Sequence, residues 1–343
     1  MTAVPPWLAT EPPGDGKYSD AETPAMKHLK RSTLRLVCFL LTAVLLTTPA
    51  LAALPGITGQ AAIAVDVESG EVLLSKNCDT QRAVASTTKL MTLYLIFAAM
   101  DAGEISADTE VTISSYAASL SNDSTYSGNE GYTAGQTVPL ETLISLIVTA
   151  SANGSAVAAA EAIAGSEEAF VERMNALCAE WELDAEFVDA SGIGENQVSA
   201  RALGTIALRC VQDYPEILDY TARSSVTWNG ITFTSTNEFL TGGYTCEGLD
   251  GLKTGYTSAA GYCFVASCLR DGSRVVSVVL GESSNELRFL DTIRVLDYSY
   301  QVITEGSVPL AIYTVPSGQN LYRQVYETEE SASSAIPEGA LTQ

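Results

Sequence analysis

Ser86 and Lys89 stand three residues apart in "AVASTTKLMT", residues 83–92. On a helix this spacing puts both side chains on one face, with Cβ atoms about 5–6 Å apart. A lysine amine so placed can take the proton of a serine hydroxyl and turn it into a nucleophile. The pattern alone is common, so the supply of other bases decides how much weight it carries. The single histidine is His28, which falls in a stretch with the features of an export signal. Catalysis by Ser-His-Asp or Cys-His, and zinc held by histidine, are thereby excluded from the exported chain. Its base must be lysine or a carboxylate. Beyond residue 52 the only lysines are Lys76, Lys89 and Lys253, and Lys253 stands in "GLKTGYT".

A Ser-x-Asn triplet occurs at Ser127, Ser151, Ser235 and Ser283, the first three of them between the Ser86/Lys89 and Lys253 motifs. Context selects Ser151-Ala152-Asn153, because there the triplet interrupts two apolar helical stretches. A core helix pair holds such a break rigidly. At the start of its helix, Ser86 can use the N-terminal dipole to support an alkoxide and a developing oxyanion. Lys89 can act as base only if its pKa falls well below the ordinary value of about 10.4. Burial and a second cation, Lys253, push in that direction. Ser151 can relay a proton to a leaving amine, and Asn153 can hold Lys89 and a substrate amide. The Lys253-Thr254-Gly255 segment reads as an edge strand that pairs with an extended peptide, with Gly255 leaving that approach unobstructed. No metal or cofactor is expected.

The elements that must position these residues follow from periodicity. "AAIAVDVESGEVLLSKN" reads as two strands around a Ser-Gly turn. Ser86 to Met100 reads as a helix with Leu90, Leu93, Ile96, Phe97 and Met100 on its apolar side. Residues 114–135 are polar and loop-like. Helices are expected over "LETLISLIVTA", "SAVAAAEAIAG", "SEEAFVERMNALCAEWEL" and "SARALGTIALRCVQDY". Strands return from Ser225, and "GYCFVASCL" and "SRVVSVVLG" are joined across the hairpin signal Asp271-Gly272. "NELRFLDTIRVLDYSY" closes the domain as a helix. The result is an α+β fold, a mainly antiparallel sheet built from both chain ends and flanked by helices, with a helical middle subdomain.

The 343-residue chain carries a formal charge of −23, which argues against nucleic acid as a partner. Lys27, Lys30, Arg31 and Arg35 precede a short apolar run from Leu36 to Leu46, and Ala50-Leu51-Ala52 offers a cleavage site. Residues 26–52 are therefore expected to be a cleaved signal peptide, with export to the cell envelope. Residues 1–25 are Pro-rich and acidic, and translation is expected to start at Met26. The catalytic domain is placed at 53–302, followed by a short strand-like segment and an acidic disordered tail over 303–343. Six cysteines follow the signal, none spaced Cys-x-x-Cys, and most read as buried free thiols.

The ordered set Ser86-x-x-Lys89, Ser151-x-Asn153 and Lys253-Thr254-Gly255 is the signature of penicillin-binding proteins and β-lactamases. With "FVDASGIGENQVSA", "TSTNEFL", "DGLKTGYTSAAGYCFVAS" and "LRFLDTIRVLDY", the chain resembles the D-alanyl-D-alanine carboxypeptidases over roughly residues 58–300. The resemblance implies a DD-peptidase/β-lactamase-like fold and a peptidoglycan stem peptide as substrate. Ser86 would be acylated, terminal D-Ala released and the acyl-enzyme hydrolysed, with β-lactams as covalent inhibitors. It further implies an oxyanion hole from the N–H groups of Ser86 and Tyr256, and a terminal carboxylate held by Thr254, Thr257 and Arg288. The chain departs from the family in having Val84 where proline is usual and Gly154 where aspartate commonly follows the Ser-x-Asn element. No C-terminal amphipathic membrane helix is visible. Class A β-lactamases add a deacylating glutamate in Glu-x-Glu-Leu-Asn, and Glu180 in "EWELD" is the corresponding candidate. A scaffold that binds penicillin without turnover is the non-enzymatic alternative.

Overall fold

In the computed structural model, residues 55–307, 309–314 and 320–324 are described. The signal peptide and most of the acidic tail expected from the sequence lie outside them. Seven strands form the main sheet: β1 (Ala61–Asp66), β2 (Val72–Lys76), β3 (Leu249–Thr257), β4 (Gly261–Arg270), β5 (Ser273–Glu282), β6 (Leu310–Thr314) and β7 (Asn320–Gln324). Their order is β3-β4-β5-β1-β2-β6-β7, antiparallel except for β6 beside β2. The sheet is thus assembled from both ends of the sequence. The β6–β7 hairpin belongs to this same sheet, so the strand-like segment after residue 302 is an extension of it.

Side-chain alternation divides the core into two layers. Ala61, Ile63 and Val65 of β1 face the helical middle, together with Val276 and Val278 of β5. Ala62 and Ala64 face the opposite way, against Phe289, Val295 and Leu296 of the last helix. Asp271 and Gly272 both have positive φ, at +49° and +87°, as the tight β4–β5 hairpin requires.

The principal helices are α1 (Lys89–Asp101), α2 (Ser115–Ser121), α3 (Leu140–Thr149), α4 (Asn153–Ala164), α5 (Glu167–Glu180), α6 (Ala200–Asp213) and α7 (Asn285–Glu305). Ser114, Ser166, Ser199 and Ser284 each accept a bond from the backbone N–H three residues on, fixing the starts of α2, α5, α6 and α7. Helix α2 corrects the expectation of a loop over 114–135. Its buried face consists only of Ala117, Ala118, Leu120 and Ser121, too small an apolar stripe to stand out in a polar stretch.

The start of the first helix is also different from the expectation. Residues Ala85–Thr88 form a 3-10 turn, and the α-helix begins at Lys89. The Thr87 hydroxyl donates to Val84 O at 2.7 Å and the Thr87 N–H to the same carbonyl at 3.3 Å, which holds the tighter winding. Ala85 leads into this turn at φ +51°.

Candidate active site

In a 3-10 turn, residues three apart eclipse one another. Ser86 and Lys89 are therefore superposed more directly than α-helical winding would allow, and Lys89 Nζ donates to Ser86 Oγ at 3.0 Å. The amine also donates to Asn153 Oδ1 at 2.7 Å and to Ser191 O at 2.5 Å. These three acceptors come from the turn, from the first residue of α4 and from the loop 189–194. Lys89 itself is completely buried. Burial lowers its pKa to about 7 against the pull of Asp189 and Glu130, which favour the charged form. A base whose pKa lies near the working pH is the kind general-base catalysis requires.

Lys253 lies on β3, an edge strand as the sequence suggested, and is also fully buried. Its pKa is depressed well below normal by burial and by repulsion from Lys89 and Arg288, and Nζ donates to Thr254 O at 3.0 Å. Burial is the first cause of the shift at Lys89, and the two buried amines disfavour each other's charge.

Ser151 is buried and adopts φ +58°, a left-handed conformation unfavourable for a residue with a side chain. The α3–α4 break is held open in this conformation, with Ser151 and Asn153 both lining the cleft. Gly154 does not loosen the start of α4. A Cβ there would lie 2.7 Å from Ala117 O and 2.8 Å from Ser121 Cβ, so its absence lets α2 pack directly on the break.

Gly255 is also a point of close backbone approach. Its missing Cβ would face Val84 O at 2.9 Å and the Ser86 and Thr87 nitrogens at 3.1 Å. The glycine brings the edge strand against the turn that carries Ser86.

Ser86, Ser151, Asn153, Thr254, Gly255, Tyr256, Thr257 and Arg288 share one open cleft of about 190 Å³. Lys89 and Lys253 lie buried behind it. Arg288, on α7, is 7% exposed, donates to Gly255 O at 3.2 Å and sits over the rings of Tyr262 and Phe289. Burial lowers its pKa to about 10, which leaves the guanidinium charged at neutral pH. Thr254 Oγ1 is 2.5 Å from Thr236 Oγ1.

Several cleft residues escaped the sequence reading: Thr125 and Tyr126, Gly192 and Ile193, and Thr236, while Ser127, set aside there in favour of Ser151, also lines the cleft. Asp189 organises the loop 189–194. Its Oδ1 accepts from the N–H groups of Ser191 and Gly192 and from the Ser191 hydroxyl, and its Oδ2 from Gly194 N. That aims Ser191 O at Lys89. The stretch "DASGIG" is a recognisable turn-forming signal, but no local pattern shows which distant amine its carbonyl meets. Tyr132 is buried and bonded to Ser155 at 2.8 Å, outside the cleft lining, whereas Tyr256 is 53% exposed on its rim. Glu180 ends α5, is exposed and does not line the cleft, so it cannot deliver water to an acyl group on Ser86.

A serine bonded to a buried lysine, beside an edge strand and within an α+β sheet-and-helix frame, defines the penicillin-binding class of serine acyl-transfer proteins. The chain belongs to the D-alanyl-D-alanine carboxypeptidase family, whose model matches residues 48–284. It is 31% identical over 249 residues to D-alanyl-D-alanine carboxypeptidase DacF of Bacillus subtilis, covering 70% of this chain and 62% of the relative. It is 32% identical over 258 residues to DacA of Escherichia coli K12, covering 72% and 62%. The chain therefore spans less than two thirds of the length of these relatives. Among solved structures, penicillin-binding protein D2 of Listeria monocytogenes in its cefotaxime-bound form matches with TM-score 0.64 and 31% identity, over 71% of this chain and 98% of that one. Penicillin-binding protein 5 of Haemophilus influenzae matches with TM-score 0.68 and 30% identity, over 73% and 72%.

Proposed function

We propose that this chain is a serine-type D-Ala-D-Ala carboxypeptidase that removes the terminal D-alanine from peptidoglycan stem peptides through an acyl-enzyme on Ser86. The observation that carries this reading is the buried Lys89 amine bonded at once to the Ser86 hydroxyl and to Asn153. The family membership and the relatives' names supply the substrate class.

The stem peptide lies extended along β3, pairing with the edge strand that carries Lys253-Thr254-Gly255. Neutral Lys89 takes the proton from Ser86 Oγ as the oxygen attacks the carbonyl of the penultimate D-Ala. The oxyanion is received by the N–H groups of Ser86 and Tyr256. Ser151 relays to the departing amine the proton that Lys89 took from Ser86, which leaves Lys89 neutral again, with Lys253 behind it. Thr254, Thr257 and Arg288 hold the terminal carboxylate, for which a guanidinium is the natural partner. Water then attacks the acyl-enzyme, returns the proton through Lys89 and frees Ser86. β-Lactams acylate the same serine, a reading supported by the relative solved with cefotaxime bound. The substrate places the protein on the outer side of the cytoplasmic membrane, reached through the signal at residues 26–52, with the catalytic domain beginning at 53. Among the described residues no helix is long and apolar enough to cross a membrane.

An intact-mass time course with benzylpenicillin, run beside a D-Ala release assay on a stem-peptide mimic, tests the proposal. A persistent single adduct, lost in Ser86→Ala, together with D-Ala release is the expected result. A transient adduct with rapid drug hydrolysis would instead mark a β-lactamase, and neither adduct nor release would mark a scaffold.

A further inference from the structure

Glu130 is a buried carboxylate on no predicted motif, in the loop between α2 and α3. Its Oε1 accepts from the Ser155 N–H and from the Ser155 hydroxyl, both at 2.9 Å. Ser155 lies in the first turn of α4, two residues beyond Asn153, so a negative charge sits where the helix dipole favours it. The second oxygen, Oε2, is buried and makes no hydrogen bond among the described residues. The backbone around it is tightly constrained. Gly128, Asn129 and Gly131 have φ of +108°, +50° and +71°, which turn the Glu130 side chain inward. A Cβ on Gly128 would lie 2.9 Å from both Ala152 Cα and Glu130 Oε2. The loop backbone is therefore seated on the middle residue of the Ser151–Asn153 break. The same loop presents Thr125, Tyr126 and Ser127 to the cleft.

We propose that Glu130 is a positioning residue for acylation: by clamping this loop onto the first turn of α4, it sets the Ser151–Asn153 break and the cleft wall together. This rests on the acyl-transfer reading above. The close approach of α2 leaves no space for a side chain at Gly154, and the carboxylate at the first turn of α4 comes instead from Glu130.

The charge has a direction that can be measured. Two carboxylates, Glu130 and Asp189, favour protonation of Lys89, while burial opposes it. The other cation at the site is Lys253 on β3, with Arg288 of α7 beyond it. Glu130 itself is faced by Ser155 and by Tyr132, whose phenol burial pushes up, Ser155 lowers and Glu130 raises further. Removing the Glu130 charge must make Lys89 easier to deprotonate, so the acid limb of acylation moves to lower pH.

The test measures the second-order rate of benzylpenicillin acylation against pH for the full chain and for Glu130→Gln, Glu130→Ala and Ser155→Ala, with melting temperatures alongside. Glu130→Gln keeps an acceptor at Oε1 and should shift the acid limb down by roughly half a pH unit. Glu130→Ala should also lower the plateau rate by about tenfold, because the wall and the break are no longer held. Ser155→Ala should lower the plateau less and leave the limb in place. A merely structural role would lower the melting temperature and leave the limb of Glu130→Gln unmoved, which would overturn the proposal. If Glu130→Ala does not fold, the limb of Glu130→Gln alone decides. If the wild-type chain forms no adduct at all, it is the acyl-transfer reading that fails.

Discussion

Lys89 has no exposed surface, yet its Nζ is 3.0 Å from the Oγ of Ser86, which opens onto the cleft. The amine is thus held in the protein interior and the hydroxyl at the cleft, joined by one hydrogen bond. Burial supplies the low pKa, and the 3-10 turn supplies the reach.

If Ser86 is the only nucleophile, Ser86→Ala abolishes the penicillin adduct while far-ultraviolet circular dichroism and melting temperature stay close to wild type. Ser86 is partly exposed and its side chain fills no core space. An adduct that persists in this variant would sink the assignment.

If Lys89 is the base proposed above, acylation needs it neutral, and its pKa is lowered to about 7. The acylation rate should therefore rise through a limb near pH 7 and level off above it. Lys89→Ala should flatten the limb and cut the plateau by about a thousandfold or more, the loss typical of removing a nucleophile's activating base. Near-normal acylation in this variant would point to a carboxylate base.

The same shift has a consequence for stability. In the unfolded chain Lys89 keeps its proton up to about 10.5, and in the folded protein only up to about 7. Between those values the unfolded state binds more protons, so stability rises with pH across this window. Lys89→Met should remove that contribution, reducing the slope by up to about 1.4 kcal/mol per pH unit. Urea denaturation at pH 7, 8 and 9 measures it, and an unchanged slope would mean that Lys89 is not depressed.

Gly255→Ala should impair both stability and acylation. Its Cβ would meet backbone atoms of Val84 and Ser86, which cannot move aside as a flexible side chain would. A loss of about 1–3 kcal/mol by thermal denaturation is expected, with slower adduct formation as β3 is pushed away from the nucleophile turn.

Arg288→Ala should act on substrates with a free terminal carboxylate. The guanidinium is buried beside the cleft and bonded to Gly255 O, so its loss removes both a charge partner and a contact to β3. A rise in KM of about 10- to 100-fold is expected for the free acid. Turnover of the matching terminal amide should change little, and equal losses on both substrates would argue against a carboxylate clamp.

Much of this was legible in the residues themselves. With no histidine beyond His28 and only three lysines after residue 52, the choice of base narrows to Lys89 and Lys253 or a carboxylate. Periodicity shows strands at both ends and helices between them, because each element buries one face. The chemistry of Ser86, Lys89, Ser151, Asn153 and Lys253 can be proposed from spacing, since motifs keep reacting groups on neighbouring turns or strands. Three things were decided only by the folded chain. The winding at Ala85–Thr88 depends on Thr87 bonding back to Val84. The contacts of Ser191 O with Lys89 and of Glu130 with Ser155 join residues 102 and 25 apart in sequence. The use of Gly154 and Gly255 depends on which backbone packs against each of them. Local sequence specifies which groups are available and how a segment turns. The desolvation that makes an amine a base, and the close approach of two distant backbones, exist only once the chain has packed.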